Sequence, residues 1–435
     1  MVGRGDVLEA SFPVHSGLLV EPLPATSIPT LSSRSGGAYL FLETEARLQN
    51  GQDQGVARVV LVEPYYGGSH RAWADGLVAH SRHEIHLVTH DAAYWRWRLR
   101  GSALTLAEDV AAVIARHGPP EVLLVSDMVH LAALLGFLRR VLGDAAVALY
   151  LHENQLTHPV GPRDRPDEGL ALANWLSMAV ADRVLVNSEA QLADLRRALP
   201  VLLGRALDHS HAHRLDGVLD RCEVLPVGVD LDGIAPDGHP VPEAPLIVWN
   251  HRWDHEKRPD RLFSVLHRLA DEGVAFRLAL AGENLRFDPQ EFDAIRARLG
   301  DRVVHVGALD RTGYHRLLAS SDVTVSTAEH ETFGIAAVEA MAAGCVPILP
   351  DRLSYPEIVP DRWHDAVLYE EGELRDRLRA VLTDLPAARA GVDGLAESMR
   401  RHDWSVLGPR YDDAIDRLVN GRGAAPSPGG PGSRP

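Results

Sequence analysis

Along nearly the whole chain, short apolar runs alternate with longer amphipathic ones, and this alternation limits the fold more than any other feature. Strand-like runs occur at Val56–Val62, Ile85–Thr89, Val122–Val125, Val147–Leu151 and Val184–Asn187, with helix-like stretches at about 70–80, 104–116, 129–142, 168–181 and 188–204. A second series starts at Leu246, with strands at Leu246–Trp249, Phe276–Ala281, Val303–Val306, Val323–Ser326 and Val346–Leu349. Its helices are expected at about 257–272, 288–299, 311–320, 334–343 and 371–384. Strands separated by helices pair in parallel, in sheets covered on both faces. Right-handed crossovers then predict an α/β chain of two Rossmann-like, doubly wound parallel-sheet domains facing across a cleft. A length of 435 residues fits two cores better than one.

The boundaries follow from composition. Residues 1–55 hold Pro, Ser and Gly clusters without periodicity and are expected to be a disordered extension. Residues 56–228 form the N-terminal Rossmann-like domain, 229–244 a linker rich in Gly, Asp and Pro, and 245–402 the C-terminal one. A helix at 403–419 is expected to return to the N-terminal domain, and 420–435 read as a disordered tail. The net charge of -16 argues against a broadly basic nucleic-acid binder and leaves room for a local patch. Two cysteines far apart, Cys222 and Cys345, exclude a disulfide framework or zinc cluster and point to a reducing, cytoplasmic compartment. With no 18-residue uncharged apolar run and no leader pattern, neither a membrane segment nor secretion is expected.

Ligands of such sheets lie beyond the carboxyl ends of the strands, so the segments after each strand carry the chemistry. After the first comes Glu63-Pro-Tyr-Tyr-Gly-Gly-Ser-His70, where Gly67 and Gly68 let the backbone approach a diphosphate or an acceptor at a helix N-terminus. A plain strand-to-helix turn reads equally well. After the fourth comes Leu151-His-Glu-Asn-Gln-Leu-Thr-His158, where His152 and Glu153 suit sugar hydroxyls. After Trp249 comes Asn-His-Arg-Trp-Asp-His-Glu-Lys, in which Arg252 and Lys257 suit the charge on a departing phosphate. All basic residues but Lys257 are arginine, so the single lysine invites a chemical reason. After Ser326 comes Thr327-Ala-Glu-His-Glu-Thr-Phe-Gly-Ile-Ala-Ala-Val-Glu339, with Glu331 at a helix mouth and Glu339 about two turns on. Carboxylates suit sugar and ribose diols, and the amides of Phe333, Gly334 and Ile335 suit a phosphate.

The last segment resembles the EX7E motif of glycosyltransferase family 4, whose architecture is the two-domain GT-B fold. A closer resemblance covers about 57–400. The segments Glu-Pro-Tyr-Tyr-Gly-Gly-Ser-His (63–70), Tyr-Trp-Arg-Trp-Arg-Leu-Arg-Gly (94–101), Leu-His-Glu-Asn-Gln-Leu (151–156), Trp-Asn-His-Arg-Trp-Asp-His-Glu-Lys (249–257) and Leu-Ser-Tyr-Pro-Glu (353–357) look like the tRNA-queuosine alpha-mannosyltransferase family. The resemblance implies transfer of mannose from GDP-mannose to queuosine in a tRNA anticodon, with retention. It implies a C-terminal domain that takes the nucleotide sugar: Arg252 and Lys257 on the diphosphate, Glu331 on the sugar, Glu339 on the ribose. His152 would lie beside the reacting sugar, in an N-terminal domain that binds the acceptor. Acceptor contacts are expected from His70, Glu153, Asn154 and the run Trp95, Arg96, Trp97, Arg98 and Arg100. Beside Tyr94, that run interleaves aromatic rings that stack on bases with guanidinium groups that hold phosphates. A loop with its Trp residues packed inward is the competing reading.

No carboxylate is placed as a nucleophile, so the leaving diphosphate is expected to accept the acceptor's proton, with no metal and no cofactor beyond the nucleotide-sugar substrate. Asp230-Leu-Asp232 spells a metal-binding pattern but falls in the linker, and is discounted. The alternatives are a family-4-like transferase acting on a lipid, glycan or small molecule, a non-catalytic sugar-nucleotide or RNA-binding protein, and a GT-B epimerase or phosphorylase. A phosphorylase of this fold needs a pyridoxal-bearing lysine, and Lys257 is already assigned. The oligomeric state is left open.

Overall fold

The structure is a computed structural model and describes residues 55–159, 167–236, 238–282 and 289–421, without the side chains of 289–293. The extension expected at 1–55, save its last residue, and the tail expected from 420, save its first two, lie outside the described residues, as does the first residue of the helix expected at 288–299.

Two parallel sheets of six strands are present. The first holds β1 (Arg58–Tyr66), β2 (Glu84–Asp91), β3 (Val122–Ser126), β4 (Ala146–Leu151), β5 (Arg183–Val186) and β6 (Cys222–Val224), in the order β2-β1-β3-β4-β5-β6. The second holds β7 (Leu246–Trp249), β8 (Arg277–Leu280), β9 (Val303–Val306), β10 (Val323–Val325), β11 (Val346–Pro350) and β12 (Leu368–Tyr369), in the order β12-β11-β10-β7-β8-β9. Each order reverses once, between β1 and β3 and between β7 and β10, and such reversals open crevices beyond the strand ends. The helices that matter for the site are α1 (Gly68–His80), α2 (Trp95–Gly101), α3 (Glu189–Leu203), α4 (Pro259–Asp271), α5 (Ile335–Ala342) and α6 (Trp404–Asn420).

In β1, Val59 and Leu61 enter one apolar cluster while Val60 and Val62 enter another, because alternate residues face opposite sides of a covered sheet. The first cluster continues through Trp73, Leu225, Phe333, Tyr355 and Trp404, so one core joins both halves. Helix α6 packs on α1 and β4. Trp73 Nε1 donates to Tyr411 Oη at 3.0 Å, and Asp412 accepts from Ser81 Oγ at 2.5 Å. Among the described residues no helix is long and apolar enough to cross a membrane.

The structure departs from the sequence reading in several places. Strand β1 runs on to Tyr66 rather than stopping at Val62: a bulge between Glu63 and Tyr66 absorbs Pro64, which has no N–H to give. Residues 95–101 are a helix, not a loop, since Trp95 and Leu99 fall one turn apart and pack together against Leu170 and Ala173. Strands β6 and β12, three and two residues long, were not anticipated.

Candidate active site

The crevices at the two reversals merge into one cavity of about 1080 Å³, lined by both halves. That is room enough for a nucleotide sugar.

On the N-terminal side the wall begins where β1 turns into α1. Gly67 must be small because a Cβ there would meet Ala92 Cβ at 2.4 Å, and Gly68 holds φ +53°, a conformation glycine adopts at no steric cost. Both line the cavity, as do His70, His152 and Glu153. Glu63, which the sequence reading passed over, is fully buried at the end of β1. Its Oε1 accepts from the Tyr65 N–H at 2.8 Å and lies 3.1 Å from His70 Nδ1. Its Oε2 faces His152 Nε2 at 3.6 Å. Burial opposes the Glu63 charge, but His70 and His152 hold the carboxyl well below its usual range. His70 behaves in the opposite way to an ordinary buried histidine: burial disfavours its cation, and Glu63 outweighs that and raises the imidazole to about 9. His152 is lowered to about 4 by burial and by charged His70, whose ring centroid is 4.0 Å away. Asp127, also unanticipated, accepts from the His152 N–H at 3.1 Å and is pushed up to about 8 by burial.

On the C-terminal side Lys257 ends a short 3-10 turn after β7, immediately before α4. Thr327 Oγ1 donates to the carbonyls of Lys257 and Arg258 at 2.8 and 2.9 Å and pins that turn. Lys257 is 8% exposed, and its Nζ donates to the His330 carbonyl at 2.9 Å and to Glu331 Oε2 at 3.1 Å. Burial opposes the Glu331 charge, and Lys257 and His251 keep its pKa below the usual value. Arg252 is exposed on the cavity wall, where burial opposes its charge and Glu153, Asp254, Glu256 and Glu331 outweigh that and raise its pKa. Phe333, Gly334 and Ile335 line the cavity at the N-terminus of α5, where Gly334 at φ +105° is the cap.

The halves touch through named bonds. Thr332 Oγ1 donates to the His152 carbonyl at 2.7 Å, and Ser188 Oγ donates to the Thr332 carbonyl at 2.8 Å. Glu357 accepts from the N–H groups of Glu189 and Ala190 at 2.8 and 2.6 Å, which satisfies the exposed N-terminus of α3.

Five expected site residues do not line the cavity. Glu339, one turn beyond Ile335 on α5, accepts from Tyr314 Oη at 2.8 Å, and burial raises it to about 7. Asn154 spends its Oδ1 on the N–H groups of Leu156 and Thr157, and so organises its own loop. Trp97 is 65% exposed and stacks over Gly101, Arg98 reaches the Asp91 carbonyl, and Arg100 pairs with Asp167. Helix geometry explains the last three: α2 turns Trp95 and Arg96 to the cavity and spreads its other polar residues over solvent. Arg96 lies over the Trp95 ring at 4.6 Å.

Two groups of ligand-type atoms near the cavity come within 4.8 Å of one another, Glu63–His70–His152 and Glu153–His158–His330. In the first, the carboxylate is already engaged by the His70 ring nitrogen. In the second, Glu153 is held below its usual pKa, against burial, by His158 and by Arg252 across the cavity. We assign neither as a metal site. Asp230 and Asp232 are exposed away from the cavity, and Asp230 pairs with Arg311 at 2.7 Å.

The comparisons with known proteins fall on the same two halves. The family profile described as tRNA-queuosine alpha-mannosyltransferase N-terminal matches residues 58–229, and that of glycosyl transferases group 1 matches 236–390. The chain is 34% identical over 312 residues to the tRNA-queuosine alpha-mannosyltransferase of Drosophila melanogaster, covering 69% of this chain and 81% of that one. It is 27% identical over 205 residues to a GDP-mannose:cellobiosyl-diphosphopolyprenol alpha-mannosyltransferase of Xanthomonas oryzae, covering 44% and 52%. Among solved structures, the sucrose-phosphate synthase of Thermosynechococcus elongatus superposes with a TM-score of 0.63 at 17% identity, over 84% of this chain and all of that one. Anabaena HepE in complex with UDP-glucose gives 0.60 at 16%, again over 84% and 100%. These two likenesses show the fold, which is GT-B.

Proposed function

Because the chain belongs to the tRNA-queuosine alpha-mannosyltransferase family, and is a glycosyltransferase, we propose that it moves mannose from GDP-mannose to queuosine in a tRNA anticodon with retention at the anomeric carbon. The observation that carries the reading is the meeting of Lys257 and Glu331 at 3.1 Å on the wall of an interdomain cavity, opposite His152. A cation suited to phosphate beside a carboxylate suited to sugar hydroxyls supports cleavage of a bond between the two. The names of the Drosophila and Xanthomonas relatives support mannose, and the second supports GDP as its carrier.

In the proposed step the bond from the anomeric carbon to the β-phosphate oxygen breaks. An acceptor hydroxyl bonds the same face of that carbon, and its proton passes to the departing phosphate. Arg252, Lys257 and the α5 N-terminus stabilise the growing charge, and no metal takes part. Trp95 and Arg96 on α2 would meet the anticodon loop at the mouth. The test is mass spectrometry of bulk tRNA incubated with the protein and GDP-mannose. A hexose on queuosine supports the reading, and tRNA left unmodified while the donor is consumed refutes the acceptor.

A further inference from the structure

Glu63 is the one charged residue in the buried stretch of β1, behind Val59, Val60, Leu61 and Val62. A buried carboxylate is costly unless paired. Its pairing serves His70, and His70 is an expensive place for a positive charge. The ring is buried, it sits in the first turn of α1 where the helix dipole repels cations, and it lies against His152. A histidine kept there only for packing would be neutral.

We propose that Glu63 is a positioning residue that makes His70 the N-terminal half's cation in the cavity, for an anionic phosphate oxygen of the bound substrates. Glu63 holds Nδ1, which leaves the other ring nitrogen as the donor of a side chain that lines the cavity. The groups facing His70 are Glu63 and Tyr65 from β1, Asp127 after β3, and His152 and Glu153 after β4. Burial pushes Asp127 up to about 8, so it is largely protonated at neutral pH and Glu63 is the close counter-charge. His70 thereby faces, across the same cavity, the cations Arg252 and Lys257. The phosphate oxygen comes either from the diphosphate of the donor or from the acceptor polynucleotide. The inference deepens the transferase reading and rests on it only for the second source.

The test is Glu63→Gln in the full chain, which keeps the shape and removes the charge. Histidine-labelled protein is titrated by NMR, with His70→Gln identifying the resonance. GDP and pyrophosphate affinities are measured by calorimetry at pH 7, and the KM for tRNA is measured with GDP-mannose. His70 is expected to titrate far above the ordinary 6.5 in the wild type and to fall toward it in Glu63→Gln. The alkaline limb of kcat/KM should move the same way. A loss on the order of tenfold in GDP and pyrophosphate affinity assigns the contact to the donor. The same loss confined to the tRNA KM assigns it to the acceptor. If Glu63→Gln does not fold, His70→Gln at pH 7 must match the wild type's phosphate affinity at pH 10. The proposal is overturned if wild-type His70 titrates near 6.5, if Glu63→Gln leaves that titration in place, or if neither affinity changes. The titration and the pyrophosphate arm need no acceptor, so a wrong acceptor assignment does not imitate failure.

Discussion

Replacing Lys257 by alanine removes the cation held 3.1 Å from Glu331. At that distance, and with an effective dielectric of about 20, the gross attraction is about 5 kcal/mol. Desolvation of both groups offsets most of it, and a net loss of stability of about 1–3 kcal/mol remains. Catalysis should suffer more. Removing one fixed group that meets charge developing in a transition state costs roughly a hundred- to a thousandfold in kcat. The assay is single-turnover transfer from GDP-mannose, with circular dichroism to confirm folding. The double variant Lys257→Ala/Glu331→Gln separates the two roles. It should recover part of the stability, because no carboxylate is left without its partner, and none of the activity. Wild-type turnover in folded Lys257→Ala would refute the reasoning. So would recovery of turnover in the double variant, which would make Lys257 only the counter-ion of Glu331.

Three further outcomes are expected. Exhaustive chelation leaves transfer unchanged; complete loss restored by a divalent ion would overturn the metal-free step. Arg96→Ala and Trp95→Ala raise the tRNA KM, the first more steeply as salt falls, while GDP affinity stays constant; an unchanged KM in both would remove α2 from the acceptor site. Below about pH 6.5 His70 is protonated in folded and unfolded chains alike, so its pairing contributes fully, and the contribution is lost as pH climbs through about 9. Urea titrations should show stability falling across that window, by on the order of 1–3 kcal/mol from this group, with a flatter profile in Glu63→Gln; identical slopes would refute the pairing.

Periodicity was a good guide to the strands and helices because each half buries its sheet on both faces, which leaves apolar runs too short for anything else. It failed where the local pattern and the tertiary setting disagreed. Pro64 and the charged Glu63 looked like the end of a strand, yet the bulge keeps Glu63 in β1 and buries it. Strand β12 is two residues long and exists because β11 is there to pair with it. For the site, residue chemistry at strand ends singled out Arg252, Lys257, Glu331, His152 and His70, all of which line one cavity, since chain direction alone brings those ends together. What spacing does not reveal is which way a helix turns. Glu339 and Trp97 lie at suggestive offsets, but Tyr314 takes up the Glu339 carboxylate and the rotation of α2 turns Trp97 to solvent. Asp127 was invisible for another reason: its perturbed pKa comes from burial, a property of the finished fold.

The bonds across the cleft show why the donor carboxylate and the closed arrangement belong together. Thr332, which bridges to the carbonyl of His152 and to Ser188, is the next residue after Glu331. Opening the cleft therefore breaks contacts one peptide away from the group proposed to meet the sugar, and separates Glu331 from the His152 wall in the same motion. Glu357 adds a second hold, because separating the halves would leave the α3 amide groups of Glu189 and Ala190 without their carboxylate. The chain can thus present both walls of the site to a sugar only while Thr332 and Glu357 are engaged, and Glu357→Gln should raise the KM for the donor while each half stays folded. Small-angle scattering would show whether the rise accompanies a wider cleft. A raised KM with unchanged scattering would place the effect in the cavity wall and refute closure as its cause.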